Sequence, residues 1–78
     1  MADDVRKIVH SFFAERGKSV SSDSTDVFEA GIIDSMELME LLLHMEERHG
    51  ISIDQEWMSV DNFRSIDAIT ETIQKFSR

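Results

Sequence analysis

The fold of this chain is decided by residues 28–50, which read FEAGIIDSMELMELLLHMEERHG. Asp and Ser are preferred at the start of helices, and glycine commonly follows the last turn. The stretch therefore predicts a helix that begins at about Ser35, immediately after Asp34, and that runs to His49 before Gly50 ends it. The order of apolar and acidic residues along this helix determines what the remaining elements must cover.

The hydroxyl of Ser35 has two interpretations at this position. For the Asp34–Ser35 pair alone, capping is the ordinary role, in which a side-chain oxygen accepts a backbone N–H of the first turn. The same unpaired N–H groups and the positive end of the helix dipole also stabilise an anionic group attached to that hydroxyl. In the first case the chain is a helical bundle without distinctive chemistry. In the second case the chain carries a group that is covalently attached to Ser35.

This helix has two apolar stripes on nearly opposite sides when its residues are placed at about 100° intervals. The core stripe consists of Leu38, Leu41, Leu42 and Met45, with His49 at its end. The outer stripe consists of Met36, Met39 and Leu43, flanked by Glu40, Glu46 and Glu47. One helix of a three-helix domain does not easily bury both faces. We therefore predict that the outer stripe is exposed and docks partners, for which methionine is a typical residue.

Apolar periodicity predicts two further main helices. The first is capped by Asp3 or Asp4 and ends near Gly17, and the last is capped by Ser65, with Asp67 in its first turn. The core face of the first helix consists of Val5, Ile8, Val9, Phe12 and Phe13. The core face of the last helix consists of Ile66, Ile69, Ile73 and Phe76.

Two connections complete the chain. Residues 18–34 form a long polar loop whose apolar residues, among them Val27 and Phe28, are expected to fold onto the core. The segment from Asp54 to Asn62 is predicted to form one short helix or turn. The predicted fold is therefore all-α, a small bundle of three main helices plus one short helix, with a long first loop.

Composition excludes several classes of function. The 78 residues include 16 acidic and only 8 basic side chains, which give a net charge of −8. Nucleic acids and anionic membrane surfaces are therefore poor predictions, whereas basic protein surfaces are suitable partners. Membrane insertion is not expected either, because no apolar run approaches the length that spans a membrane. The N-terminus does not resemble a signal peptide, and cysteine is absent, which favours a cytoplasmic protein without disulfides. The length predicts a single domain, residues 1–78, and we expect a monomer.

No constellation of side chains in the sequence indicates catalysis or metal binding. His44 and His49 point to different faces of the second helix and His10 lies on the first, so they lack the spacing of a metal site. The three glycines do not form a phosphate-binding loop. No Ser-His-Asp order with an oxyanion loop is recognisable. The sequence therefore predicts that the chain is not an enzyme and holds no metal.

The complete pattern resembles the acyl and peptidyl carrier proteins. That family shares an apolar-acidic turn with glycine, then Asp-Ser followed by Leu or Met, and then an acidic helix that ends in glycine and isoleucine. The corresponding stretches here are Phe28 to Met36 and Glu46 to Ile53, and the stretch from Asp61 to Ile66 is similar to the family's approach to its last helix. The resemblance covers essentially the whole chain and implies an acyl-carrier-like bundle.

What the resemblance implies is specific. Ser35 would carry 4′-phosphopantetheine through a phosphodiester, installed from coenzyme A by a phosphopantetheinyl transferase that uses magnesium, and Asp34 would assist at the transferase interface. The thiol of that prosthetic group would hold an acyl or aminoacyl group as a thioester. A loading ligase or acyltransferase and downstream biosynthetic enzymes would dock through basic surfaces. The docking helix of the family corresponds here to Met36, Glu37, Met39, Glu40, Leu43, Glu46 and Glu47.

The resemblance leaves the cargo open. Met36 replaces the commoner leucine, and His49 stands where an aromatic or apolar residue is usual. The motif around Ser35 is closer to free-standing carriers such as D-alanyl carrier proteins, whereas the stretch from Asn62 to Ile66 resembles discrete polyketide and nonribosomal peptide carriers. We expect a carrier of a specialised pathway. The alternatives are a D-alanyl or other aminoacyl carrier for cell-envelope modification, and an unmodified helical interaction module in which Ser35 only caps.

Overall fold

The computed structural model describes residues 2–77 and shows a bundle of three α-helices. The helices are α1 (Ala2–Glu15), α2 (Ser35–His49) and α3 (Ile66–Phe76). No strand occurs within the described range. The prediction of an all-α fold with three main helices and a long first loop is therefore confirmed.

The segment between α2 and α3 differs from the prediction. Instead of one short helix between Asp54 and Asn62, it contains two single-turn 3₁₀ helices, Gln55–Trp57 and Val60–Asn62. Ser59 separates them because its backbone is extended, with φ −130° and ψ 156°. Neither turn is capped by the side chain that precedes it. Single 3₁₀ turns of this kind commonly serve as connectors.

The starts of α1 and α3 can be compared with the predicted caps. The first helix already includes Ala2, so Asp3 and Asp4 lie in its first turn, and the prediction that one of them caps it is wrong. Acidic residues in that turn still suit the positive end of the helix dipole. Ser65 caps α3 as predicted, because its Oγ accepts the backbone N–H of Ala68 at 3.1 Å.

Helix α2 ends before Gly50, which is its C-cap, as predicted. Gly50 has a φ of 66°, in the left-handed region that glycine adopts without strain. Its N–H donates to the carbonyl of Glu46 at 3.1 Å, and the N–H of Ile51 donates to the carbonyl of Met45 at 3.2 Å. These bonds satisfy carbonyl groups that the last helical turn leaves unpaired.

The core lies between the helices and contains the predicted faces. The core stripe of α2 is buried, whereas His49 at its end is exposed. The helices α1 and α3 contribute Val5, Val9, Phe12, Phe13, Ile66, Ile69 and Ile73 to the core. The connections contribute Val27, Ile33, Ile51, Ile53 and Phe63. Ile8, Phe28 and Phe76 pack against it while half-buried.

The first loop is held on the core by its own backbone around Val27. The Val27 side chain is fully buried, and its N–H donates to the carbonyl of Arg64 at 2.8 Å. Its carbonyl accepts the N–H groups of Ile32 at 2.9 Å and Ile33 at 3.1 Å. Asp26 Oδ1 closes the turn formed by residues 26–29, because it accepts the backbone N–H groups of Phe28 and Glu29. The loop thereby delivers the chain to the start of α2 in a defined conformation.

Arg6 joins three parts of the fold. Its Nη1 lies 2.7 Å from Asp23 Oδ2 in the first loop and 2.7 Å from Asp67 Oδ1 in the first turn of α3. His10 Nε2 lies 2.9 Å from the second carboxylate oxygen of Asp23. The hydrogen bond from Arg6 lowers the pKa of Asp23 below its ordinary value of 3.8, and desolvation opposes this only in part. The network ties the loop to two helices.

The two stripes of α2 predict that the same substitution destabilises the fold strongly on one stripe and weakly on the other. Leu41 is 0% exposed and Leu43 is 53% exposed, although both lie on α2. We expect Leu41→Ala to lower the free energy of unfolding by about 3 kcal/mol, through lost burial and a cavity. Leu43→Ala is the matched control and should change it by only about 0.5 kcal/mol. Urea denaturation followed by circular dichroism measures both, and comparable losses would contradict the assignment of faces.

The Arg6 network predicts a stability difference that depends on pH. Arg6→Gln should lower the melting temperature more than Lys7→Gln, which removes the same charge from the adjacent, exposed position. Because the folded pKa of Asp23 is depressed, its contribution is complete above the unfolded pKa of about 3.8 and is lost as pH falls through the folded pKa. The gap between the variants should therefore be present at about pH 5 and shrink in more acidic solution. Thermal melts across this range measure the gap, and a gap that persists at about pH 2 would contradict the assignment.

Candidate functional site

The first turn of α2 assigns different roles to its two leading polar residues. Asp34 is the N-cap, with an extended backbone and with Oδ1 accepting the N–H of Glu37 at 2.9 Å. Its carbonyl accepts the N–H of Leu38 at 2.9 Å. Ser35 is the first helical residue and is exposed. The capping role therefore belongs to Asp34, and the interpretation of Ser35 as the cap is wrong.

The hydroxyl of Ser35 is available for chemistry from solvent. Across residues 2–77, its Oγ takes part in no hydrogen bond. The N–H groups of Ser35 and Met36 precede the first bonds of the helix and have no acceptor within the same range. A nucleophilic oxygen thus lies beside unpaired donors and the positive end of the dipole, an arrangement that suits an attached phosphate.

The outer stripe is exposed, as predicted, and forms one wall of a groove. Met36, Met39 and Leu43 all have large exposed fractions. They line a groove of about 390 Å³ that begins at the residue after Ser35. Met58, which precedes the second 3₁₀ helix, lines the same groove. The stripe is therefore part of a concave apolar surface and not a flat one.

Sequence reasoning missed the second half of this groove. Ile51 and Ile53 also line it, and both are buried apart from that surface. The apolar-polar alternation across Ile51, Ser52 and Ile53 indicates one buried side, but it does not tell which helix that side faces. Met58 stands among polar residues and carries no periodic signal of its own. Only the path of the connection after Gly50 brings these residues opposite α2.

The acidic residues predicted for docking are placed in different environments. Glu47 is exposed, and Glu46 Oε2 accepts a hydrogen bond from Ser52 Oγ at 3.0 Å. Glu40 Oε1 lies 3.6 Å from Arg16 Nε. These three carboxylates lie at or beside the outer stripe in exposed positions, where a basic partner can reach them.

Glu37 differs from the other acids of the helix. It is half-buried, and its Oε2 lies 3.0 Å from Lys18 Nζ of the first loop. The ion pair compensates a negative charge in the first turn of α2, next to the turn residue Ser35. The family resemblance, and not the pattern of the helix itself, grouped Glu37 with the docking acids. In the structure, Glu37 forms a contact between helix and loop.

The histidines are spread over the bundle. His10 contacts Asp23, and the ring of His44 lies 5.5 Å from the ring of Phe12 and 5.7 Å from that of His49. Desolvation by burial, with the nearby charge of Arg48, lowers the pKa of His44. Over the described part of the chain, no group of three His, Asp or Glu side chains is arranged to hold a metal ion.

None of the helices described has the length and apolar character needed to cross a membrane.

Comparison with known families identifies the class of protein. The family model described as the phosphopantetheine attachment site matches residues 3–73, which is most of the chain. No curated protein matches this sequence significantly. Carrier domains of the matched family are not themselves catalytic, and they bear a covalent 4′-phosphopantetheine group. Their partners are a phosphopantetheinyl transferase and biosynthetic enzymes. The resemblance noted from the motif around Ser35 is thereby confirmed, and the chain belongs to the phosphopantetheine attachment site family of carrier proteins.

Proposed function

We propose that Ser35 is the residue that carries 4′-phosphopantetheine. The observation that supports this most directly is the division of roles at the start of α2, where Asp34 caps the helix and leaves the exposed hydroxyl of Ser35 without a structural task. The family requires one attachment residue, and Ser35 lies within the matched range at the helix start where an anion is stabilised. In this role the chain holds an acyl or aminoacyl group as a thioester and presents it to other enzymes.

The local residues suit the chemistry of attachment. Ser35 Oγ forms a bond to the pantetheine-bearing phosphorus of coenzyme A, and the bond from that phosphorus to the bridging oxygen of the diphosphate breaks. The nucleotide leaves with that oxygen, and the proton of Ser35 passes to a base of the transferase. The unpaired N–H groups of Ser35 and Met36 then lie beside the new anionic phosphodiester. Once bound, the prosthetic group supplies the thiol that this chain, which has no cysteine, does not contain. Lys18 offsets the charge of Glu37 in the same turn, which limits repulsion of the phosphate.

Asp34 is proposed to contribute at the transferase interface. Its Oδ1 is engaged with the N–H of Glu37, but Oδ2 has no hydrogen bond within the described residues. One carboxylate oxygen thus orders the helix start while the other remains in solvent. The same side chain can therefore hold Ser35 in place and contact the magnesium-dependent transferase.

The outer stripe and its acids are proposed to dock partner enzymes. Its apolar residues give area that is favourable to cover, and the acidic side chains favour basic partner surfaces through an attraction that weakens with salt. The proposed docking set consists of Met36, Glu37, Met39, Glu40, Leu43, Glu46 and Glu47. Within it, the charge of Glu37 is paired with Lys18 at 3.0 Å and that of Glu40 with Arg16 at 3.6 Å, so their share of the attraction is expected to be smaller than that of Glu46 and Glu47.

The pathway is proposed to be a specialised one of the polyketide or nonribosomal peptide type. The stretch from Asn62 to Ile66 favours it, whereas the motif around Ser35 favours an aminoacyl carrier such as a D-alanyl carrier. We further propose that residues 1–78 act as one monomeric carrier domain in the cytoplasm. An unmodified interaction module is the competing class, and modification of Ser35 separates the two.

Attachment can be tested by intact mass. Incubation of the apo protein with coenzyme A, magnesium and a promiscuous phosphopantetheinyl transferase should add one phosphopantetheine. Ser35→Ala should abolish the addition because the accepting oxygen is removed. Ser19→Ala, which removes another exposed hydroxyl, should be modified as the wild type is. An adduct on Ser35→Ala, or none on the wild type, would contradict the proposal.

Docking can be tested by placing a charge on the outer stripe. Met39→Glu and Leu43→Glu should each lower kcat/KM of the transferase by about tenfold, since a buried apolar contact is replaced by a carboxylate. The melting temperature should change little because both positions are exposed. Ser11→Glu adds the same charge on the exposed surface of α1 and serves as the control. An equal loss of rate in Ser11→Glu would indicate a general effect of charge rather than docking.

A further inference from the structure

Three of the five methionines of the chain surround the groove beside Ser35. Met36 is 78% exposed, Met39 is 57% exposed and Met58 is 38% exposed. Two of these residues come from α2 and one from the connection that follows it, so the fold brings together thioethers that are separated in sequence. The groove thereby concentrates accessible sulfur next to the attachment residue.

A fourth methionine provides a contrast within the same helix. Met45 belongs to the core stripe of α2 and is 0% exposed. Its side chain is chemically identical to those of Met36 and Met39, so solvent access alone distinguishes them. The chain has no cysteine, and methionine is therefore the only sulfur of the polypeptide that an oxidant can reach.

We propose that Met36, Met39 and Met58 form a reversible oxidation site at which hydrogen peroxide weakens the docking of partner enzymes. In each event the thioether sulfur takes one oxygen atom from hydrogen peroxide, the O–O bond breaks, and water leaves. The sulfur loses two electrons and the peroxide gains them. Methionine sulfoxide reductases of the two stereochemical classes return the sulfoxide to the thioether with two electrons from thiols, and the oxygen leaves as water.

The consequence for docking follows from the chemistry of the product and rests on the function proposed for the outer stripe. A sulfoxide is polar and strongly hydrated, whereas the thioether it replaces is apolar and adaptable. A partner that covers the groove would have to remove water from the new oxygen without a matched donor. Leu43 and Ile53 remain apolar under the same conditions, so oxidation divides a continuous apolar surface into polar and apolar portions.

The first test measures oxidation by position. The intact protein is treated with dilute hydrogen peroxide, and peptide mass spectrometry follows the sulfoxide at each methionine with time. Met36, Met39 and Met58 should react at least about tenfold faster than Met45, because Met45 reacts only after local opening. Rates at Met45 equal to those at the groove would overturn the proposal.

The second test measures the effect on a partner. After removal of peroxide, kcat/KM of the phosphopantetheinyl transferase for the oxidised apo protein should fall about tenfold, and treatment with the two reductases should restore it. The triple variant Met36→Leu, Met39→Leu and Met58→Leu keeps the groove apolar but cannot be oxidised there. Its rate after peroxide, compared with its own untreated rate, should be unchanged.

The outcomes separate this proposal from attachment at Ser35. An unchanged rate despite sulfoxides at the three positions would overturn the oxidation site and leave attachment intact. An equal fall in the triple variant would also overturn it, because the lesion would then lie elsewhere. Failure of the untreated wild type to accept phosphopantetheine would instead contradict the function on which the docking effect rests. Circular dichroism melts of the oxidised protein should show a retained bundle, because the three side chains are exposed.

Discussion

The hydrogen bond from the Glu37 N–H to Asp34 Oδ1 is the interaction on which the site depends. It fixes the first turn of α2 without using the neighbouring hydroxyl. A serine that capped the helix would be turned toward the backbone, and its modification would cost the helix a hydrogen bond of about 1 kcal/mol. With the cap supplied by Asp34, attachment of an anionic group at Ser35 adds a favourable dipole interaction and removes nothing.

This arrangement in turn requires the first loop to arrive in one conformation. Val27 fixes that conformation of the loop. Its buried side chain and its backbone hydrogen bonds with Arg64, Ile32 and Ile33 hold the loop just before Asp34. The loop is polar for much of its length, yet three backbone hydrogen bonds of Val27 hold it at this point. The Arg6 network fastens the earlier part of the loop to α1 and α3. Core, loop and site are thus linked by a short series of contacts.

Much of the fold, and part of the candidate site, could be predicted from periodicity and from residue types with strong local preferences. The limits of α2, the cap at Ser65 and the two stripes follow from patterns within one turn or one helix. The choice between Asp34 and Ser35 as cap did not, since both residues are good caps and only the backbone angles distinguish them. The groove was missed because its second wall, at Ile53 and Met58, depends on a connection whose path is set by tertiary packing.

The division of α2 into two independent faces has a consequence for how such a carrier can change. Four residues of the helix are buried in the core, whereas those of the outer stripe are exposed and are expected to contribute little to the stability of the bundle. Substitutions on separate faces without shared contacts are nearly additive in free energy. Under the docking role proposed for the outer stripe, partner choice can therefore change at Met36, Met39 and Leu43 while the fold stays above its stability threshold. One face of α2 holds the helix in the core, and the other face can be substituted with little effect on the fold.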